Sequence, residues 1–311
     1  MNILYVCRKD ENGFIHIDYL DECVLIGLKE LFGSQVVDVN KKLSLYTDYP
    51  DEMKYRLYGR GYTLTQNIEP HECDRDDIEN KIRNKFYDYV VYAKIENCND
   101  YFDLVYEHYP KNRIALLDGG DWMNIHPSVT YDTMFFKREC FLGMSNVNYS
   151  KYFNNIKPIS FAFPTKRITR SQNKSKLLST INPLDRTTYF DKDNPSEYKF
   201  KTEKEYYEEY QSSRFAITCQ KAGWDCLRHY EIIGNGCIPL FHRVENAPPG
   251  TISMLPRRLL LQIRTMWENN QDFLIENYDE YFERLFHHFI NNNTTIKLAE
   301  YFMKEMNDAK K

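Results

Sequence analysis

Residues 18–39 read Asp-Tyr-Leu-Asp-Glu-Cys-Val-Leu-Ile-Gly-Leu-Lys-Glu-Leu-Phe-Gly-Ser-Gln-Val-Val-Asp-Val, and a short apolar run, Ile3-Leu4-Tyr5-Val6-Cys7, stands before them. From Asp18 onward the apolar residues Cys23, Leu25, Ile26, Leu28, Leu31 and Phe32 recur at helical spacing, and Gly33 ends the series. Val36, Val37 and Val39 make a second strand. A polar loop containing Gly13 joins the first strand to the helix. This is a βαβ start, and the first strand is apolar on both faces, as a parallel sheet requires.

The alternation continues outward. After a loop, Tyr58-Gly59-Arg60-Gly61-Tyr62, a helix is expected over Asp74 to Phe86 and a strand at Tyr89-Val90-Val91-Tyr92. A short helix over Asp100 to His108 leads to a strand at Arg113 to Leu117, which ends in Asp118-Gly119-Gly120-Asp121-Trp122. Met134 to Arg138 reads as a final short strand of this layer. Lys157-Pro158-Ile159-Ser160-Phe161-Ala162-Phe163-Pro164 is an apolar stretch bracketed by prolines, which cannot sit inside a helix. It divides the chain into an expected domain of residues 1–157 and a second of 158–311. The second repeats the pattern: strands at Lys176 to Ile181 and Thr187 to Phe190, a helix over Glu203 to Gln211, then a strand at Phe215 to Cys219. A helix over Asp225 to Gly234 and a strand at Cys237 to Phe241 follow. From Arg257 the pattern is helical, with breaks near Asn270 and Asn291 to Asn293.

Composition narrows the function classes. Among 311 residues, 41 Lys and Arg against 45 Asp and Glu leave a net charge of −4, so nothing global draws the chain to nucleic acid or an anionic membrane. The eight cysteines form no CxxC pair, which argues against a zinc site and a disulfide scaffold and for free thiols. The first apolar run is too short for a signal peptide, and no window reaches the ~18 apolar residues of a membrane span. The expectation is a soluble protein of the cytoplasm.

Residues 212–241 carry the most chemistry: Ser-Ser-Arg-Phe-Ala-Ile-Thr-Cys-Gln-Lys-Ala-Gly-Trp-Asp-Cys-Leu-Arg-His-Tyr-Glu-Ile-Ile-Gly-Asn-Gly-Cys-Ile-Pro-Leu-Phe. This is strand, loop, helix, turn, strand. The loop Gln220 to Trp224 precedes a helix N-terminus, where free N–H groups and the helix dipole favour an anion. Asp225 is placed as the cap. Arg228 in the first turn is mildly disfavoured by the dipole unless an anionic group such as a diphosphate sits beside it. Glu231, three residues on, can accept both hydroxyls of a ribose; alternatively Arg228 and Glu231 form a solvated ion pair worth roughly 0.2–0.5 kcal/mol. Trp224 can stack on a base or pack against the helix.

The order Ser213, Phe215, Gly223, Arg228, Glu231, Gly236, Ile238, Pro239 resembles the nucleotide-sugar-binding segment of exostosin-like glycosyltransferases of the GT-B fold. It departs at Gln220, where that group usually carries proline. Asp118-Gly119-Gly120-Asp121, Phe136-Lys137-Arg138-Glu139 and Lys157-Pro158-Ile159 with Phe161 and Pro164 follow a similar order. The resemblance implies an α/β protein of two Rossmann-like domains facing a cleft, with a helical C-terminus. Donor would sit on the C-terminal domain and acceptor on the N-terminal one. It also implies that no bound metal or other cofactor is needed, the nucleotide-sugar being a substrate.

An inverting transfer needs a base for the acceptor hydroxyl. Asp118 and Asp121 stand just past a strand end, where α/β sites usually lie, although either could make an Asx-turn with the glycine pair. His126 is a third candidate. Arg228, the loop around Gly223, and Lys221 would hold the leaving diphosphate. Arg60 could reach an acceptor or a phosphate, or simply make a turn; His242 and Glu245 could touch the sugar, and His287-His288 read as satisfied helix histidines rather than ligands. The acceptor expected is a glycan or a lipid-linked saccharide, the latter reached at a membrane surface without any span. Three alternatives stand beside this: a nucleotide-sugar epimerase or hydrolase, a non-catalytic nucleotide-sugar-binding protein, and a DNA glycosyltransferase using the basic cluster Lys166, Arg167, Arg170, Lys174 and Lys176.

Overall fold

Strand β1 (Ile3–Val6) is buried along its whole length and takes parallel neighbours on both sides. Ile3 is in register with Val36 of β2 (Val36–Val39) and with Tyr89 of β3 (Tyr89–Tyr92). Between β1 and β2 runs α1 (Tyr19–Phe32), where the Asp18 carboxylate caps the Leu20 N–H and Gly33, at φ 55°, ends the helix. The computed structural model describes residues 1–8, 18–70, 73–94, 98–141, 147–185, 188 and 199–309. The expected loop at Gly13 and all of the Thr187 to Phe190 strand except Thr188 lie outside the described residues.

The first sheet has six parallel strands in the order β2-β1-β3-β4-β5-β6, with β4 at Ile114–Asp118, β5 at Met134–Lys137 and β6 at Ile156–Pro158. The expected last strand of this layer, β5, is therefore not its last. β6 escapes a reading based on apolar runs because it is a three-residue edge strand containing Lys157 and Pro158, and proline is tolerated only at such an edge. The helix expected over Asp74 to Phe86 is only α2 (Ile78–Arg83). Asp77 and Lys85, at φ 50° and 54°, take left-handed conformations that bound it. Helix α3 (Phe102–His108) connects β3 to β4.

The second sheet is parallel with the order β7-β8-β9: β7 (Lys176–Leu178), β8 (Ser213–Thr218) and β9 (Ile238–Phe241). Helix α4 (Glu203–Gln211) starts in a capping box made by Thr202 and Glu205, and α5 (Leu227–Gly234) joins β8 to β9. Four helices follow: α6 (Arg257–Asn269), α7 (Gln271–Glu276), α8 (Tyr278–Asn292) and α9 (Thr295–Asp308).

The connections after β4 and β5 contain short 3-10 turns and, among the described residues, no α-helix, so part of that sheet face needs another cover. Helix α9 supplies it. Phe302 packs on Phe136 of β5 with centroids 4.5 Å apart, Tyr89 of β3 donates to Asn307 at 2.6 Å, and Tyr301 donates to the Pro158 carbonyl at 2.7 Å. The start of α9 lies so close to α1 that a side chain at Gly27 would meet the Thr295 carbonyl at 2.0 Å. The main apolar core is continuous from β1 through Phe161 and Phe163 on the crossing to Phe215 and Phe289. Burial of each such side chain stabilises by about 1.5–3 kcal/mol. All eight cysteines are free, as expected, and no helix of the described residues is long and apolar enough to cross a membrane.

Candidate active site

Parallel sheets gather loops at the carboxyl ends of their strands. Here both sheets turn those ends to the same cavity, of about 820 Å³. Asp18 after β1, Lys94 after β3, the 118–127 segment after β4 and Arg138 after β5 line one wall. Lys221, Gly223 and Asp225 after β8, with Arg228 and Glu231 of α5, line the other. Asp118, Asp121 and His126 are thus brought to the same space as Lys221, Gly223, Asp225, Arg228 and Glu231.

On the first wall both candidate carboxylate bases already have a cation. Asp118 pairs through one oxygen with Lys137 at 3.0 Å and accepts the Gly120 N–H at 3.0 Å through the other, the Asx-turn foreseen as its alternative role. Asp121 pairs with Arg138 while half of its side chain stays exposed. The Arg138 side chain is almost wholly buried. It donates to the Gly119 carbonyl at 3.0 Å, to Glu139 at 2.9 Å and to the Asp225 carbonyl, and it stacks over Phe161 at 4.5 Å. His126 accepts the Ser128 N–H at 3.2 Å and so caps its own turn.

On the second wall the loop before α5 is pinned from below. Glu139, from the larger sheet's side, accepts the Asp225 N–H at 2.8 Å. A Cβ at Gly223 would lie 2.5 Å from the same Glu139 oxygen, so a side chain there would have to displace the Glu139 and Arg138 head groups. His229 is buried, with Nδ1 2.8 Å from the Thr218 hydroxyl and Nε2 2.9 Å from the Trp224 carbonyl. Burial lowers it to about 3, so it stays neutral and serves as an anchor for the loop.

Three expectations change here. Asp225 does not cap α5; Cys226 occupies that position, without a side-chain hydrogen bond. The Asp225 carboxylate instead accepts from Tyr230 at 2.7 Å and from the Phe161 N–H at 2.8 Å, partners on its own helix and on the crossing that outcompete the local cap. Trp224 does not line the cavity but packs on the main core. Glu231 lines the cavity, yet its two oxygens accept from Thr63 at 2.6 Å and Tyr206 at 2.7 Å. Burial raises its pKa against those two hydrogen bonds. Thr63, buried at φ 76°, belongs to a segment that docks on the second half of the chain: Tyr62 donates to the Phe200 carbonyl at 3.2 Å, and Arg167 donates to Asn67 at 3.0 Å.

The other candidates lie elsewhere. Arg60, at φ 57° between two glycines, forms a turn and donates to the Lys201 carbonyl at 3.2 Å. Glu245 pairs with Arg264 at 2.5 Å, and neither it nor His242 lines the cavity. His288 meets the Met254 carbonyl at 2.9 Å, and His287 lies 3.3 Å from Asn291 on the same helix. Among the described residues no group of three or more His, Cys, Asp or Glu side chains is placed to hold a metal.

No family model, curated protein or solved structure matches the chain. The site is therefore read from its own geometry. Sequence reasoning missed Asp18, Lys137, Arg138 and Glu139 as site residues. A run of three charged residues at the end of a buried strand was the signal available, since such a run is costly beside a core unless it is paired.

Glu139 gives that pairing a pH dependence. Burial pushes it up to about 7 against the pull of Arg138. The folded chain then keeps a proton that the unfolded chain has released, so this group's contribution to stability falls as pH rises from about 4.5 to 7. Glu139→Gln should remove that part of the slope. Melting of both proteins from pH 5 to 8 should show the Tm difference moving in the variant's favour as pH rises; a constant difference would refute the assignment.

Proposed function

We propose that the protein is a GT-B-type glycosyltransferase that moves a sugar from a nucleotide-sugar donor to a glycan or lipid-linked saccharide, with inversion and without a metal. The observation that carries this reading is the shared cavity, where the start of α5 with Arg228 faces the strand-end carboxylates Asp118 and Asp121. The donor diphosphate lies at the N-terminus of α5, against Arg228, Lys221 and the loop at Gly223. The ribose takes the Glu231 carboxylate, displacing the Thr63 and Tyr206 hydroxyls now bound to it. The acceptor enters beside Asp121, which receives its hydroxyl proton as the oxygen bonds to the anomeric carbon. The bond from that carbon to the diphosphate breaks on the opposite face, and the electron pair leaves with the nucleotide. Arg228 and Lys221 balance the charge that develops there.

The test is thermal unfolding with UDP, GDP and CMP and their common sugars. At about 100 times its dissociation constant a ligand adds ~2.7 kcal/mol, which for a chain of this length raises Tm by roughly 4 °C. One nucleotide family should give this shift, and Arg228→Ala should lose it. If no nucleotide shifts the native protein, the donor site is not here.

A further inference from the structure

Four of the five basic residues that follow the crossing are already neutralised. Lys166 lies 3.9 Å from Glu69, Arg167 2.6 Å from Glu203 and Lys176 2.6 Å from Glu209, while Arg170 pairs with Glu283. Lys174 is different. It is half-buried and donates to the Gln211 carbonyl at 2.9 Å, but among the described residues no carboxylate lies within ion-pair distance of it. The same holds for Arg214, whose guanidinium lies over the Tyr278 ring at 5.4 Å.

Both cations line a second cavity, of about 460 Å³. Ser171, Asp279 and the Arg170–Glu283 pair also line it, Asp279 being paired with neither cation, and the rings of Tyr278 and Phe282, stacked at 5.8 Å and 8° apart in plane, give it an apolar wall. Two cations at one cavity, neither within ion-pair distance of a carboxylate among the described residues, describe a site suited to an anion. The cavity opens at the amino ends of β7 and β8, so the length of six-residue β8, about 20 Å, separates it from the larger cavity.

We propose that this second cavity binds the phosphate group of a small phosphorylated compound, with Lys174 and Arg214 on the phosphate and the Tyr278–Phe282 face against its organic part. The volume exceeds what inorganic phosphate alone would fill, and the paired aromatic rings suit a sugar-sized body.

The experiment is thermal unfolding in inorganic phosphate and in a hexose 6-phosphate, each against sodium chloride of equal ionic strength. Both should raise Tm saturably, by about 4 °C at 100-fold excess over the dissociation constant, with the hexose phosphate acting at lower concentration. Lys174→Gln and Arg214→Gln should each weaken binding by tenfold or more, and Arg228→Ala should leave it unchanged. A shift lost in Arg228→Ala but kept in the other two would place phosphate in the larger cavity and overturn the proposal. So would no shift beyond that of chloride. A readout on the unaltered chain guards against variants that fail to fold. Desolvation lowers the Lys174 pKa, favouring its attack on an amine-acylating reagent. Phosphate should slow acylation of Lys174 several-fold while sparing the exposed Lys204; equal rates with and without phosphate would also overturn the site.

Discussion

Asp121→Asn is expected, on the proposed transferase reading, to lower the rate of sugar transfer by about 10²–10⁴-fold while leaving nucleotide binding within a factor of about two. Asparagine keeps an oxygen for Arg138, so the pair retains a hydrogen bond and the wall its shape, but the amide cannot take a proton from the acceptor. Single-turnover release of nucleoside diphosphate, using whichever donor raises Tm, measures the loss. Asp118→Asn is the control, because Asp118 is tied to both Lys137 and the Gly120 N–H and has less freedom to serve an acceptor. If Asp118→Asn abolishes transfer and Asp121→Asn does not, the roles are exchanged. If both variants turn over at the native rate, neither carboxylate is the base.

Arg138→Met should be the most destabilising of the substitutions considered. Arg138 compensates Glu139 and Asp121 directly, and its attraction also offsets the burial penalty of Asp225. Methionine fills much of the volume but leaves Glu139 and Asp225 uncompensated in a low-dielectric site. Removing one partner of a buried pair costs about 3–5 kcal/mol, which corresponds to a fall in Tm of about 5–8 °C for a chain of this length. Lys137→Met should cost less, since it strands only Asp118, which keeps some access to water. The damage in Arg138→Met should also lessen below about pH 6, where Glu139, raised to about 7, is protonated and needs no countercharge. A Tm within about 2 °C of the native protein would mean that the guanidinium does not hold this wall together.

Most of the fold was legible in the sequence because its signal is local. α1 was bounded by Asp18 and Gly33, and α4 by residues 203 and 211, as their caps dictate. Strands β1, β3 and β4 are continuous apolar runs buried on both faces. What was illegible depends on partners distant in sequence. Nothing near Thr63 announces that its hydroxyl meets Glu231, 168 residues later. Asp225 looks like a helix cap until Phe161, 64 residues earlier, claims its carboxylate. Lys137, Arg138 and Glu139 look like a polar strand end, yet all three are buried, because Asp118, Asp121 and the Asp225 loop fold over them.

Helix α9 reaches the larger sheet late in synthesis. The sheet that begins at residue 3 has part of one face covered, among the described residues, by residues 295–308, through Phe302 on Phe136 and Asn307 on Tyr89. A ribosome delivers the chain from its N-terminus, so β1 to β6 emerge and wait with that face open while more than a hundred further residues are made. Until α9 arrives the nascent sheet is an incompletely covered apolar surface, the kind of surface that chaperones bind.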